Sequence, residues 1–336
     1  MGNRDMILQG DCLIRLKEMK DESVDCVITS PPYWALRDYG VEGQLGLEPT
    51  FQEYITKLCD IFDEVKRVLK KEGTCFVNIG DTYFGSGKGA GGDISESKQV
   101  WAFTEKVERT CDNCGKKFMG WKFQNFCGAA CSGVDNTPRI KKGKMSDKSL
   151  VQIPSRFAIE MSNRGWILRN EIIWHKPNAM PSSVKDRFTV DFEKIFFFVK
   201  NKKYYFQQQI EPYTEPINRW GGNMVKRLNG ADEYGMKQRI RNYRPIEAGR
   251  NKRTVWSINT KPYKEAHFAT FPEKLVEPMI EAGCPVGGIV LDIFMGSGTT
   301  LSVAKRMDRK YMGIELNKTY IELARRRIDA VADRLL

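Results

Sequence analysis

Histidine is almost missing from this chain: its 336 residues contain two, His175 and His267. A histidine-based metal centre and a nucleophile–histidine–acid triad are therefore poor readings of its chemistry, because each needs imidazole at the reacting centre. Long apolar runs are missing too. The longest is Ile195 to Val199, far short of the ~18 residues that span a bilayer. Met1 to Asp11 also lacks the apolar core of a secretory leader. Acids do not balance bases: 42 Asp and Glu stand against 54 Lys and Arg, a formal charge of +12. That excess favours a polyanionic partner, although a generally basic protein would share it. The nine cysteines are an odd number, which argues against a disulfide framework and for a reducing, cytoplasmic setting.

Two loops, far apart in the chain, carry the chemical signals. The first is Thr29-Ser30-Pro31-Pro32-Tyr33-Trp34, directly after the strand-like run Val24 to Ile28. It is expected at that strand's C-terminal end, the edge where open α/β sheets bind ligands. Successive prolines fix φ and leave carbonyl acceptors without donors. Ser30, the Pro31 carbonyl and the Tyr33 ring together suit a planar group bearing an amino function. Taken alone, the loop reads equally well as a plain proline-rich turn.

The second signal is Gly288 to Thr300, a buried strand, a glycine turn at Gly296-Ser297-Gly298, and a helix from about Thr299 to Met307. Glycine allows close backbone approach to a ligand. The Lys-Ser/Thr ending of a phosphate loop is absent, and only Gly-x-Gly of a dinucleotide fingerprint is present. The next strand, Tyr311 to Glu315, ends in an acid able to accept hydrogen bonds from both ribose hydroxyls of an adenosine-containing cofactor.

Together these segments resemble the S-adenosylmethionine-dependent DNA amino-methyltransferases. Ser30-Pro31-Pro32-Tyr33 and Asp292-Ile293-Phe294-Met295-Gly296-Ser297-Gly298-Thr299-Thr300 carry the likeness. Gln9-Gly10-Asp11-Cys12 and His267 to Pro272 extend it. With the catalytic loop first and the cofactor loop last, the order is similar to that of the beta class. Ile293 departs from the proline usual there, which alters loop stiffness more than chemistry. The resemblance implies an α/β fold, a Rossmann-like methyltransferase sheet with circularly permuted motif order. It implies S-adenosyl-L-methionine as cofactor, held by Asp11, His267, Phe271, Asp292, Phe294, Gly296, Ser297, Gly298, Thr299, Thr300 and Glu315. For Asp11, service as a helix N-cap is an equal alternative. Catalysis falls to Ser30, Pro31, Pro32 and Tyr33. Trp34, Lys176, Asn178 and Arg187 become candidate substrate contacts, while Trp174 reads more readily as core.

The remaining organisation follows from rhythm and composition. Phe51 to Leu69 has helical apolar spacing, closed by Lys70-Lys71-Glu72-Gly73, before a buried strand Thr74 to Asp81. Residues 1–81, 151–200 and 263–336 are expected to form the catalytic domain in three parts. Residues 82–150 break the pattern. Within them Cys111-x2-Cys114 and Cys127-x3-Cys131 provide four thiolates at the spacing of a small ribbon-like module with a structural Zn²⁺. Basic and aromatic residues dominate 201–262, the expected target-recognition region.

Serine at the first loop position is commoner among N4-cytosine members of the family and aspartate among N6-adenine members. The resemblance thus leans to cytosine N4, with adenine N6 the alternative. No cysteine occupies the position a C5-cytosine enzyme would need. The partner is expected to be double-stranded DNA, without a membrane, and with a cognate restriction endonuclease and a homodimer as open possibilities. An RNA or protein methyltransferase, or a non-catalytic zinc-containing DNA-binding protein, are the more distant readings.

Overall fold

The computed structural model describes residues 6–36, 41, 43–85, 107–111, 115–120, 145–212, 249–260 and 271–331. The chain enters through β1 (Met6–Gln9), α1 (Cys12–Glu18), β2 (Val24–Thr29), α2 (Phe51–Val68) and β3 (Leu69–Ile79). A short antiparallel pair follows, β4 (Val107–Thr110) and β5 (Lys117–Gly120), then α3 (Ile153–Asn163), β6 (Ile167–His175) and β7 (Phe192–Val199). Beyond β8 (Ile210–Glu211), β9 (Arg250–Asn251) and β10 (Val255–Ser257), the last stretch is α4 (Glu273–Gly283), β11 (Ile289–Asp292), α5 (Thr299–Arg306), β12 (Lys310–Glu315) and α6 (Lys318–Asp329).

Eight strands form one sheet in the order β1-β12-β11-β2-β3-β7-β6-β10. The first five run parallel, β7 is antiparallel to both neighbours, and β10 is parallel to β6. Segments from both ends and the middle of the chain therefore share a single sheet. Period-two alternation sends Phe196 and Phe198 to the face covered by α1, α2 and α3, and Ile195, Phe197 and Val199 to the face covered by α4 and α5. Covering both faces explains why the strands are nearly continuous in apolar residues. Burial pushes the Cys12 and Cys59 thiols up to about 12, and those of Cys26, Cys75 and Cys284 higher still. These cysteines pack; they are not nucleophiles.

The helix starts obey local chemistry. Thr50 caps α2 by accepting from the Glu53 N–H at 3.2 Å, and Glu53 places an acid in the first turn. Its other end departs from the sequence expectation. Lys70 to Gly73 do not cap α2: Leu69 leaves the helix with φ −70° and ψ 133°, so the chain passes directly into β3. Gly73 lies inside that strand, where a Cβ would come within 2.6 Å of Leu69 and 3.0 Å of the Asp25 carbonyl. Close packing, not a left-handed cap, requires it.

Two excursions leave through antiparallel stems. Tyr83 bridges Leu150, and Phe84 exchanges backbone bonds with Lys148 and Ser149 at 2.8 Å. β8 and β9 close the other, with Arg250 and Arg253 both on the Glu211 carboxylate. Most of the segment expected to read the target, 213–248, lies outside the described residues. Its flanks belong with the sheet: β10 pairs with β6, and Tyr204 and Phe206 pack on Phe197.

Candidate active site

β11 and β2 are adjacent and parallel, with Val290 opposite Cys26 and Leu291 opposite Val27. From β11 the chain moves outward to β12 on one side, and from β2 outward to β3 on the other. Such a reversal opens a crevice at the C-terminal strand ends, where doubly wound sheets place ligands. Both loops singled out in the sequence emerge there. A hydrogen bond joins them: Thr29 Oγ1 donates to Asp292 Oδ1 at 2.7 Å, in full burial.

Asp292 is the junction of the cofactor side. Besides Thr29, it accepts from Thr300 Oγ1 at 2.7 Å and from the Phe294 N–H at 3.1 Å. Burial raises its carboxyl to about 6, against the opposing pull of those donors. Its two oxygens are thus committed to tying β2, the glycine turn and α5 together. Glu315, at the tip of β12, accepts from the Gly296 and Asn317 N–H groups at 2.9 and 2.8 Å. Burial raises its pKa as well. A carboxylate has about four acceptor sites, so two N–H donors leave room for hydroxyls.

The glycines of the turn play different parts. Gly296 has φ +50°, and a Cβ there would meet no heavy atom within 4 Å, so the turn presents bare backbone to open space. Gly298 has φ +77° and precedes α5; a Cβ would come within 2.8 Å of Ala324 on α6. The one admits a ligand and the other admits a helix. Ser297, Thr299 and Thr300 are buried, and Arg327 donates to Thr299 Oγ1 at 2.8 Å. They brace the turn from behind. Asp11 is the N-cap of α1, accepting from the Ile14 N–H at 3.0 Å, beside Gly10, whose N–H donates to the Glu315 carbonyl. Phe294 is half-buried against the core. Phe271, with Ile28, Thr29, Phe76, Asn78, Leu275 and Met279, lines a small recess where α4 covers the ends of β2 and β3. His267 lies outside the described residues.

On the target side, the Tyr33 ring lies against Gly80 at the end of β3, where a Cβ would come within 2.5 Å of it. Its hydroxyl donates to Glu193 Oε2 at 2.7 Å. Ser30 Oγ and Tyr33 Oη both face Asn78 Oδ1, at 3.5 and 3.4 Å. Burial, then the Glu193 charge, push the Tyr33 phenol well above its ordinary value. Tyr54 donates to the Pro32 carbonyl at 2.8 Å, fixing the second proline from beneath. Lys176 completes the wall as the ion partner of Glu193, with its ammonium 4.5 Å from the centre of the Trp174 ring. Trp174 is buried and donates to the Ile258 carbonyl, as core packing requires.

Trp34 is a correction. It is 2% exposed, donates to the Glu48 carbonyl at 2.9 Å and packs edge-on to Phe51, so it faces the core instead of a substrate. Asn178 is exposed and holds the Thr260 backbone through its N–H and carbonyl. Arg187 lies 3.4 Å above the Tyr83 ring, on an exposed loop. Of the four cysteines expected to bind metal, Cys111 is described, buried at the turn between β4 and β5; Cys114, Cys127 and Cys131 lie outside the described residues. Sequence reasoning missed Asn78 and Gly80 as site residues, and reached Glu193 only through the resemblance, which places the Phe192-Glu193 segment along the target side. The signal for the first two was available in Asn78-Ile79-Gly80-Asp81, a polar-and-glycine ending on an apolar strand.

Sheet order, switch-point crevice and two facing loops define a doubly wound, cofactor-binding α/β enzyme. The sequence profile of the DNA methylase family matches residues 24–326, and the chain belongs to that family, the DNA amino-methyltransferases. It is 39% identical to the type II methyltransferase M.SmaI of Serratia marcescens, over 96% of this chain and 90% of that protein. It is 38% identical to M.XycI of Xanthomonas campestris pv. cyanopsidis, over 98% and 87%. Among solved structures, the fold is similar to the PvuII DNA methyltransferase (cytosine-N4-specific), with a TM-score of 0.58 at 19% identity over 100% of this chain and 89% of that one. It is also similar to M1.HpyAVI in its S-adenosylmethionine complex, with a TM-score of 0.50 at 17% identity over 96% and 98%.

Proposed function

We propose that the protein methylates the exocyclic amine of a base in double-stranded DNA, at cytosine N4, using S-adenosyl-L-methionine. The observation that carries this reading is the buried Thr29–Asp292 bond, which locks the amino-accepting loop to the glycine turn across adjacent strands. The residues fit the cofactor: Gly296 offers unobstructed backbone and Glu315 retains acceptor capacity beside it. Bound there, S-adenosylmethionine would supply an electrophilic sulfonium methyl group.

The chain's own residues then prepare the amine. An exocyclic amine is a weak nucleophile because its lone pair is delocalised into the ring. Ser30, donating its own proton towards Asn78 Oδ1, turns its lone pairs to the substrate. The Pro31 carbonyl is the second acceptor. Drawing both N–H bonds into these acceptors favours a pyramidal nitrogen with its lone pair aimed across the crevice. Alignment supplies much of the acceleration, and oriented acceptors stabilise the positive charge growing on nitrogen. The target base must leave the duplex to reach this depth, at a cost of a few kcal/mol. Tyr33, braced by Gly80 and Glu193, is the plate on which it stacks.

The choice of cytosine rests on Ser30, aspartate being the commoner residue there in adenine enzymes of this family. The chain order, catalytic loop on β2 and cofactor turn after β11, fits the circularly permuted class. Residues 82–150 are an inserted module in which Cys111, Cys114, Cys127 and Cys131 hold a structural Zn²⁺. The spacing of the two cysteine pairs supports this reading. The protein is cytoplasmic and recognises its site through residues 201–262. The test is incubation with methyl-labelled cofactor and unmodified DNA, followed by nucleoside mass analysis. N4-methylcytosine is expected. N6-methyladenine would keep the mechanism and overturn the assignment from Ser30, and unlabelled DNA with bound cofactor would overturn the function.

A further inference from the structure

Every residue from Pro181 to Val190 is exposed, in the connection between β6 and β7. Most exposed stretches are polar, yet this one carries Phe188 at 96% exposure, Val190 at 52% and Val184 at 40%, with Met180 at 88% just before it. Single exposed apolar side chains are ordinary, but several gathered on one loop mark a contact surface.

Three features direct that surface at the substrate. β6 runs antiparallel to β7, which runs antiparallel to β3, so β6 is parallel to β3 and β2. The loop therefore leaves the same sheet edge as Ser30 and Tyr33. Its roots are bonded to the catalytic plate itself, since Lys176 at one end pairs with Glu193 at the other, and Glu193 accepts from the Tyr33 hydroxyl. The loop is also braced: Arg187 stacks 3.4 Å above Tyr83, and Asp186 pairs with Lys148 at 2.7 Å. Lys185 and Arg187 stand within three residues of Phe188, cations placed beside an apolar tip.

We propose that this loop is a wedge, with Phe188 entering the duplex to fill the gap left by the extruded base and Met180 as a second apolar tip. Large apolar side chains between base steps offset the cost of unstacking, and flanking cations grip the phosphates. DNA is the occupant favoured by charge and by the rooting of the loop at Tyr33.

The wedge rests on the methyltransferase reading, and the experiment separates the two. Wild type, Phe188→Ala, Phe188→Leu and Met180→Ala are compared on a duplex carrying the mapped target, and on the same duplex with an abasic position facing that base. On the paired duplex, Phe188→Ala should lower kcat/KM about tenfold or more and Met180→Ala about threefold, while Phe188→Leu, still a wedge, stays within about threefold. On the abasic duplex, where the base is already unpaired, Phe188→Ala should return to within about twofold of wild type. Thermal midpoints should not move, since the side chain touches little of the fold. Equal losses on both duplexes, or none on either, overturn the wedge. Failure of wild type to methylate any duplex overturns the underlying reading instead.

Discussion

The two halves of the sheet edge treat their polar groups differently. On the cofactor side, buried Asp292 and half-buried Glu315 receive five donors between them, from Thr29, Thr300, Phe294, Gly296 and Asn317. On the target side, the Ser30 and Tyr33 contacts to Asn78 are long, at 3.5 and 3.4 Å. The loop beyond Lys176 is exposed. In one half the loops are tied together by short bonds around Asp292, with spare acceptor capacity on Glu315; in the other, Tyr33 is held by Glu193 while Ser30 is held only loosely. A ligand of constant shape can be met by a pre-organised cradle, whereas loosely held groups can tighten on contact.

The sharpest way to break this contrast is Asp292→Ala. It removes the shared acceptor of two buried hydroxyls and one N–H, so unfolding free energy should fall by about 3 kcal/mol. Cofactor affinity and methyl transfer should fall together. Denaturant midpoints and cofactor titration measure both.

Acid provides a gentler probe of the same residue. The Asp292 carboxyl rises from 3.8 to about 6 on folding, so between those values the native state binds a proton that the unfolded state does not. Its contribution to stability therefore grows as pH falls from 7 towards 4 and is lost as pH rises through 6. Relative to Asp292→Asn, which cannot titrate, wild type should gain on the order of 2 kcal/mol from pH 7 to pH 4. Paired urea titrations at the two pH values test the sign; a loss relative to Asp292→Asn would contradict the burial argument. Glu273, held below its ordinary range against burial by Arg327 and Arg306, works in the opposite sense and cancels in this comparison because both proteins carry it.

On the target side, Gly80→Ala would drive a methyl into the Tyr33 ring, costing about 1–2 kcal/mol of transition-state stabilisation. The loss should appear in kcat/KM for DNA with cofactor affinity unchanged. In a Tyr33→Ala background it should vanish, because the ring it displaces is gone. The smallest effect belongs to Asn178→Ala. Its bonds to the Thr260 backbone are exposed, so thermal stability should move by less than about 1 kcal/mol.

Legibility in the sequence follows the same divide. The cofactor half could be read because its parts are contiguous: strand, glycine turn, helix, strand and acid lie between Ile289 and Glu315. Most element boundaries were also visible, through apolar spacing and capping residues such as Thr50 and Asp11. Tyr33 and Ser30 were legible as a loop, but their bonds to Asn78 and Glu193 were not, since the pairing of β3 with β2 and β7 is what brings those partners to them. Trp34 deceived for a related reason. An aromatic next to the tyrosine of a candidate catalytic loop invites a substrate role, and only the return of residues 46–51 reveals the core it fills. Lys70 to Gly73 deceived because a basic, glycine-ending tetrapeptide is the common signature of a helix end, while the strand's demand for continuous pairing prevailed.

The stems that close the two excursions have a consequence for how such a protein can diversify. Backbone pairing at Tyr83–Leu150 and at β8–β9 fixes where each excursion departs and returns. The entropic cost of lengthening a loop with anchored ends grows only logarithmically, about 0.6 kcal/mol for each doubling. Length can then change between the stems without disturbing the pairing of the sheet that carries the candidate site.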